Sequence, residues 1–154
     1  MKTILGILLC FFTSLSCNNN ENKTGKKQES ISLIGTWQLI SGTTIEKGKS
    51  TKVDYTKDQK AIKMFNATHF SFFIHDLKKG KVKSSNFVAG AGTYTLLGNK
   101  YTELLEYCNY RDWEQTRVEF SITFLHDTLT IHGLEKIDSL GVNQTIIEKY
   151  TRLK

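Results

Sequence analysis

The chain contains no proline and only three cysteines among its 154 residues. Eleven glycines without proline do not make a low-complexity segment, and no internal repeat appears. Also missing is any apolar run of the roughly 20 residues that a membrane-spanning helix needs. No Gly-x-Ser-x-Gly elbow, phosphate-binding loop or dinucleotide fingerprint occurs, so nothing marks a serine hydrolase or a nucleotide-binding enzyme. What the chain does have is 39% hydrophobic residues, 11% of all residues being aromatic. That is enough for one domain with a real core, and the aromatics suit a sheet.

The formal charge is +6. Much of the excess lies in lysine groups at Lys23, Lys26, Lys27, Lys47, Lys49, Lys78, Lys79, Lys81 and Lys83. Gly, Ser, Asn or Thr stand among them, which describes solvated loops. No RNA-binding signature with interleaved aromatics accompanies them, and no helix suited to a groove, so nucleic acid is not an expected partner.

The N-terminus indicates the compartment. Lys2 is followed by the short apolar run Ile4 to Phe12 and by the small residues Thr13 and Ser14, the order of an export signal. Beyond Cys17 comes Asn18 to Ser30, which holds no large apolar residue and cannot offset the entropy of ordering. Leu15-Ser16-Cys17 resembles the lipobox of bacterial lipoproteins. That resemblance implies cleavage before Cys17, acylation of Cys17, and a protein held on a membrane of the cell envelope, the outer membrane being the expected one. The implied division is residues 1–16 as signal peptide, 17–31 as flexible tether and 32–154 as the folded domain. Cys10 then leaves with the signal and Cys17 takes lipid. Cys108 is left alone, so neither an intramolecular disulfide nor a thiolate metal site is expected.

From Ser32 onward, alternating apolar segments separated by turn signals predict an all-β domain. Strands are expected near 34–41, 59–65, 68–75, 90–97, 100–108, 116–125, 128–133 and 144–153. Residues 43–58 are polar and lysine-rich, and read equally as a loop, a further strand or a short helical lid. Gly98-Asn99 predicts a two-residue hairpin pairing Leu96 with Tyr101, Tyr94 with Glu103 and Gly92 with Leu105. His126-Asp127 predicts a second hairpin, pairing Phe124 with Leu129 and Ile122 with Ile131. Eight antiparallel segments with one dry face each are best accommodated by closing into an up-and-down barrel. A two-sheet sandwich accepts the same pattern.

Gly35-Thr36-Trp37 in the first strand and Tyr150-Thr151-Arg152 in the last resemble the lipocalin-like (calycin-type) barrel found in uncharacterised bacterial lipoproteins. The resemblance covers roughly residues 32–154. It implies that Trp37 plugs one end of the barrel and that Arg152 packs over its indole, with Gly35 part of the same closure. It brings no activity and no cofactor.

Candidate binding residues follow from the faces. Tyr94, Tyr101, Glu103, Leu105 and Tyr107 are assigned to the interior, and Glu148 joins them through its register with Tyr150 and Arg152. An inward carboxylate costs several kcal/mol unless it is paired or hydrogen-bonded, so Glu103 reads as a polar spot on an apolar wall, or as a member of an internal network. Tyr94, Tyr101, Glu103, Tyr107 and Glu148 are therefore the candidate contacts for a small, largely apolar ligand. A second reading is a packed interaction lipoprotein acting through its loops, and a third is an isomerase or cyclase using Glu103. No catalytic residue is assigned. His69 and His75 share a strand face but stand about 20 Å apart, too far for one metal ion. On strand 68–75, Phe70, Phe72 and Ile74 form the better inner set, with Phe73 left opposite them.

Overall fold

The computed structural model describes residues 32–83 and 86–154; the signal, the tether and Cys17 lie outside them. The strands are β1 (Gly35–Glu46), β2 (Lys49–Asp54), β3 (Gln59–Phe65), β4 (His69–Asp76), β5 (Phe87–Leu97), β6 (Lys100–Cys108), β7 (Thr116–Leu125), β8 (Thr128–Ile137) and β9 (Val142–Arg152). Short 3-10 turns stand at Arg111–Trp113 and Asp138–Leu140.

From β3 to β9 each strand pairs antiparallel with the next, and β1 pairs with β3 on one side and β9 on the other. The β1–β9 ladder runs from Trp37 opposite Arg152 to Ile45 opposite Thr145. Eight strands thus close into an up-and-down barrel of lipocalin-like build, and closure removes the edges a sandwich would leave.

The ninth strand, β2, answers the question of residues 43–58. Strand β1 continues to Glu46, turns at Lys47-Gly48 with both residues at positive φ, and returns as β2 beside Ser41–Glu46. This is the backbone of a tight two-residue hairpin. It is polar because β2 is exposed along its whole length.

Both predicted hairpins have the predicted register: Leu96 opposite Tyr101, Tyr94 opposite Glu103, Phe124 opposite Leu129 and Ile122 opposite Ile131. The ambiguous strand resolves as β4, with Phe70 buried and Phe72 and Ile74 packed against the core, while Phe73 points out.

The core fills one end of the barrel. Trp37, 1% exposed, lies against the Phe124 ring at 6.0 Å, among Leu33, Ile122, Leu129 and Ile131. Its indole N–H donates to the Leu33 carbonyl at 2.8 Å. The Arg152 guanidinium covers the indole at 4.3 Å from the ring centroid. It also donates to the Ile34 carbonyl at 2.9 Å and to that of Ser32. Gly35 has φ +137°, and a Cβ there would collide with the same guanidinium. This corner of the barrel is therefore closed by an aromatic plug, a cation over it and a short segment clamped across both.

Candidate functional site

At the other end the barrel is not filled. A cavity of about 150 Å³ remains, walled by Leu39, Phe72, Ile74, Leu105, Val118 and Ile146. Most of these residues come from the parts of β4, β6, β7 and β9 farther from Trp37, while Leu39 stands two residues along β1 from it. Trp113, in the 3-10 turn after β6, stands at its rim. Its polar lining is Lys63, Glu103, Thr116, Glu135, Glu148 and Tyr150.

Lys63 is 6% exposed, the one charged side chain in the fully buried class among the described residues. Its ammonium pairs with Glu103. Aromatic faces surround it: the centroids of Phe70, Tyr101 and Phe65 lie at 4.9, 5.5 and 5.8 Å from Nζ. Each such face attracts a cation electrostatically, which helps offset the loss of water. The Tyr101 hydroxyl donates to the same Glu103 oxygen that receives Lys63, Oε1. Burial first, and the Glu103 charge second, hold the Tyr101 phenol well above its usual pKa, so it stays a donor.

Glu148 and Glu135 form the other half of the polar lining. The Tyr150 hydroxyl donates to Glu148 Oε2 at 2.5 Å, and Gln144 Nε2 donates to Glu135 Oε2 at 2.6 Å. Burial raises the pKa of both carboxyls above 4.5, and each is a like charge beside Glu103. Lys63 opposes the rise at both. The Tyr150 phenol is pushed well up by burial and then by Glu148. Tyr55, whose ring lies over Gly42, is raised by burial and then by the same carboxylate.

These shifts set a sign. A carboxyl that holds its proton more tightly in the fold stabilises the fold fully below its unfolded value. That contribution fades as pH rises through the raised folded value. Glu148 and Glu135 therefore weaken the barrel on going from about pH 4.5 to neutral. Glu148→Gln keeps an acceptor for Tyr150 and removes the charge, which faces Tyr55, Lys63, Glu103, Glu135 and Tyr150. Thermal melts at pH 7 are expected to rise by about 2–4 °C, for a gain on the order of 1 kcal/mol. The decline in melting temperature above pH 4.5 should be shallower than in the parent. A lower melting temperature at pH 7 would show that the charge is needed.

The sequence-predicted residues divide. Glu103 and Glu148 line the cavity, while Tyr101 lies buried behind its wall and reaches the site only through its hydroxyl on Glu103. Tyr94 does not line it: half-buried, it packs its ring on Phe65 and Tyr101 at 5.4 and 5.7 Å and donates to the Asn66 carbonyl at 2.7 Å. Tyr107 is corrected outright, being 67% exposed on the outer surface. The cause is a bulge. Gly92 pairs with Leu105 but Ala91 pairs with Tyr107, so Glu106 is an extra residue and the alternation reverses after it. A Cβ on Gly92 would run into the Leu104 carbonyl oxygen, so only glycine admits this approach. Buried Cys108 takes the inward place that Tyr107 was assigned. Tyr107→Ser is accordingly expected to change stability by less than about 0.5 kcal/mol in urea unfolding, where an inward tyrosine would cost several times that.

Lys63 and Glu135 were not anticipated. Lys63 sits between Ile62 and Met64, so the strand looks apolar on both faces. The register of the β3–β4 hairpin, which sets Lys63 opposite Phe72 and Phe65 opposite Phe70, is the signal that turns it inward. Glu135 lies beyond the expected end of its strand, two residues past Gly133 on the inward face.

Chemically, the arrangement offers apolar walls and hydrogen-bonding carboxylates rather than a nucleophile. Glu103 receives two donors on one oxygen, which fixes it as an acceptor. Among the described residues no group of three His, Cys, Asp or Glu side chains is placed to hold a metal ion.

No family model matches the chain, and no curated protein matches it. Two solved structures are similar. One, a lipocalin-like protein from Bacteroides uniformis, is 18% identical, covers 79% of this chain and 98% of its own, and has a TM-score of 0.49. The other, an uncharacterized protein from Bacteroides eggerthii, is 15% identical, covers 79% of this chain and 100% of its own, with a TM-score of 0.47.

Proposed function

We propose that the protein is a lipoprotein of the cell envelope, anchored through Cys17, whose barrel binds a small, largely apolar ligand. The observation that carries the binding reading is the asymmetry of the interior. The large aromatics pack one end solid, and the other end keeps about 150 Å³ enclosed by apolar walls with hydrogen-bonding groups among them. Binding sites combine apolar walls with a few placed polar groups in this way. A volume of this size takes a compound of roughly one six-membered ring, and longer molecules would extend through the mouth. The space left in the interior supports the binding reading over that of a packed interaction lipoprotein acting through its loops.

The anchor rests on the export signal, on Leu15-Ser16-Cys17, and on the polar stretch that follows. Several acyl chains on one residue hold a protein firmly, because each buried methylene contributes about 0.8 kcal/mol. Two experiments test the proposal. Native mass spectrometry of protein purified from its host should reveal a retained small molecule, or binding of added single-ring compounds. Persistent failure of both would remove the binding reading. Cys17→Ala should abolish incorporation of labelled fatty acid and release the protein from membranes; unchanged labelling would remove the anchor.

A further inference from the structure

Resting on the ligand-binding reading above, we propose that the cavity selects a small primary amine, its ammonium facing Glu148 and Glu135 and its apolar body against Phe72, Ile74, Leu105 and Val118.

The polar lining holds three carboxylates, Glu103, Glu135 and Glu148, and one ammonium, Lys63. Lys63 is already committed to Glu103 and enclosed by Phe65, Phe70 and Tyr101. It shows in this same barrel how an ammonium is held away from bulk water: one carboxylate, one phenol and aromatic faces. The second half of the lining repeats the carboxylate and phenol, as Glu148 with Tyr150, but has no ammonium in direct contact, Lys63 acting on it only through space. Glu148 is half-buried, its side chain bordering the cavity. Tyr150 satisfies only its Oε2, and the other oxygen has no hydrogen-bond partner among the described residues while the side chain borders the cavity. Glu135 is likewise bonded at one oxygen only, by Gln144.

A carboxylate held partly out of water at a cavity wall gains from a cation placed against it, and the raised pKa of both carboxyls, caused first by burial, is the cost such a cation would relieve. An alkylammonium of the lysine type is charged at neutral pH and supplies that cation together with up to three donors. An anionic ligand would add a fourth negative charge. A neutral alcohol would supply one donor and leave the negative charge uncompensated.

Three compounds of nearly equal size separate the cases: benzylamine, benzyl alcohol and benzoate, titrated into the protein at pH 7 by calorimetry or ligand-observed NMR. Benzylamine is expected to bind at least tenfold more tightly than benzyl alcohol, with benzoate undetectable. Glu148→Gln should bring benzylamine down to the affinity of benzyl alcohol and leave the alcohol within about twofold of its parent value. Glu135→Gln should act in the same direction and keeps the test alive if the first variant folds poorly. Equal or tighter binding of the alcohol or of benzoate, or an amine preference unchanged in both variants, overturns the amine assignment while the apolar-ligand reading stands. Absence of binding by all three overturns both.

Discussion

Lys63→Ala is expected to lower stability by about 3–5 kcal/mol, because removing one partner of a buried ion pair leaves the other charged and unsolvated. Lys63 is 6% exposed and Glu103 is nearly as enclosed, at 14% for its side chain. Without the ammonium, Glu103 would face Glu135 and Glu148 with only Tyr101 donating to it. Lys63 and Glu103 border the cavity rather than solid core, which places the loss toward the lower end of that range. Replacing both partners, Lys63→Met with Glu103→Gln, should recover most of it, since a neutral pair asks for no compensation. Urea unfolding of the two single variants and the double variant forms the cycle. A loss below about 1 kcal/mol for Lys63→Ala would mean that the pair is open to solvent.

Trp37→Ala is expected to cost a similar 3–5 kcal/mol, through a different mechanism. The indole is the largest fully buried side chain, and its removal opens a void that the rigid closed end cannot collapse into. It also strands two groups: the Leu33 carbonyl loses its donor, and Arg152 loses the ring beneath it. Trp37→Phe restores most of the area but not the N–H, and should recover about half the loss. Arg152→Met keeps an apolar cover over the ring and frees the Ser32 and Ile34 carbonyls, for an expected cost of about 1–2 kcal/mol. With total stabilities of about 5–15 kcal/mol, the alanine variant should melt far below the parent in calorimetry. A melting temperature within about 2 °C of the parent would show that the plug does not hold the barrel shut.

How far these features can be read from the sequence depends on which interactions set them. The two hairpins at Gly98-Asn99 and His126-Asp127 are local: the turn residues fix the register, and the register fixes the faces for ten or more residues on either side. That is why Tyr101, Glu103 and Leu105 were placed correctly. The same logic failed at Tyr107, because the bulge at Glu106 is set by the approach of β6 to Gly92, a contact between strands with no turn residue to announce it. Lys63 was missed for a related reason. With Ala61 and Phe65 on one face of the strand and Ile62 and Met64 on the other, the inward face is undecided until the register with Phe70 and Phe72 is known. Glu135 fell outside because Gly133 looked like a strand end, whereas here Gly133 packs closely on Phe120 and the strand runs on. The first strand and β2 show the opposite case. Their alternation of Thr, Ile and Val was present, but polar residues on an exposed ribbon leave no dry face to reveal it. The apolar half of the cavity and its carboxylates Glu103 and Glu148 were legible, whereas Lys63 and Glu135 were not.

The cavity itself is the centre of this account, and methyl NMR tests it most directly. On titration with benzyl alcohol, shifts are predicted at Leu39, Ile74, Leu105, Val118 and Ile146, with the outward methyls of Leu97, Leu125 and Leu134 unmoved. Saturating compound that leaves the five interior residues unchanged, or perturbs only the outward three, would contradict an open interior.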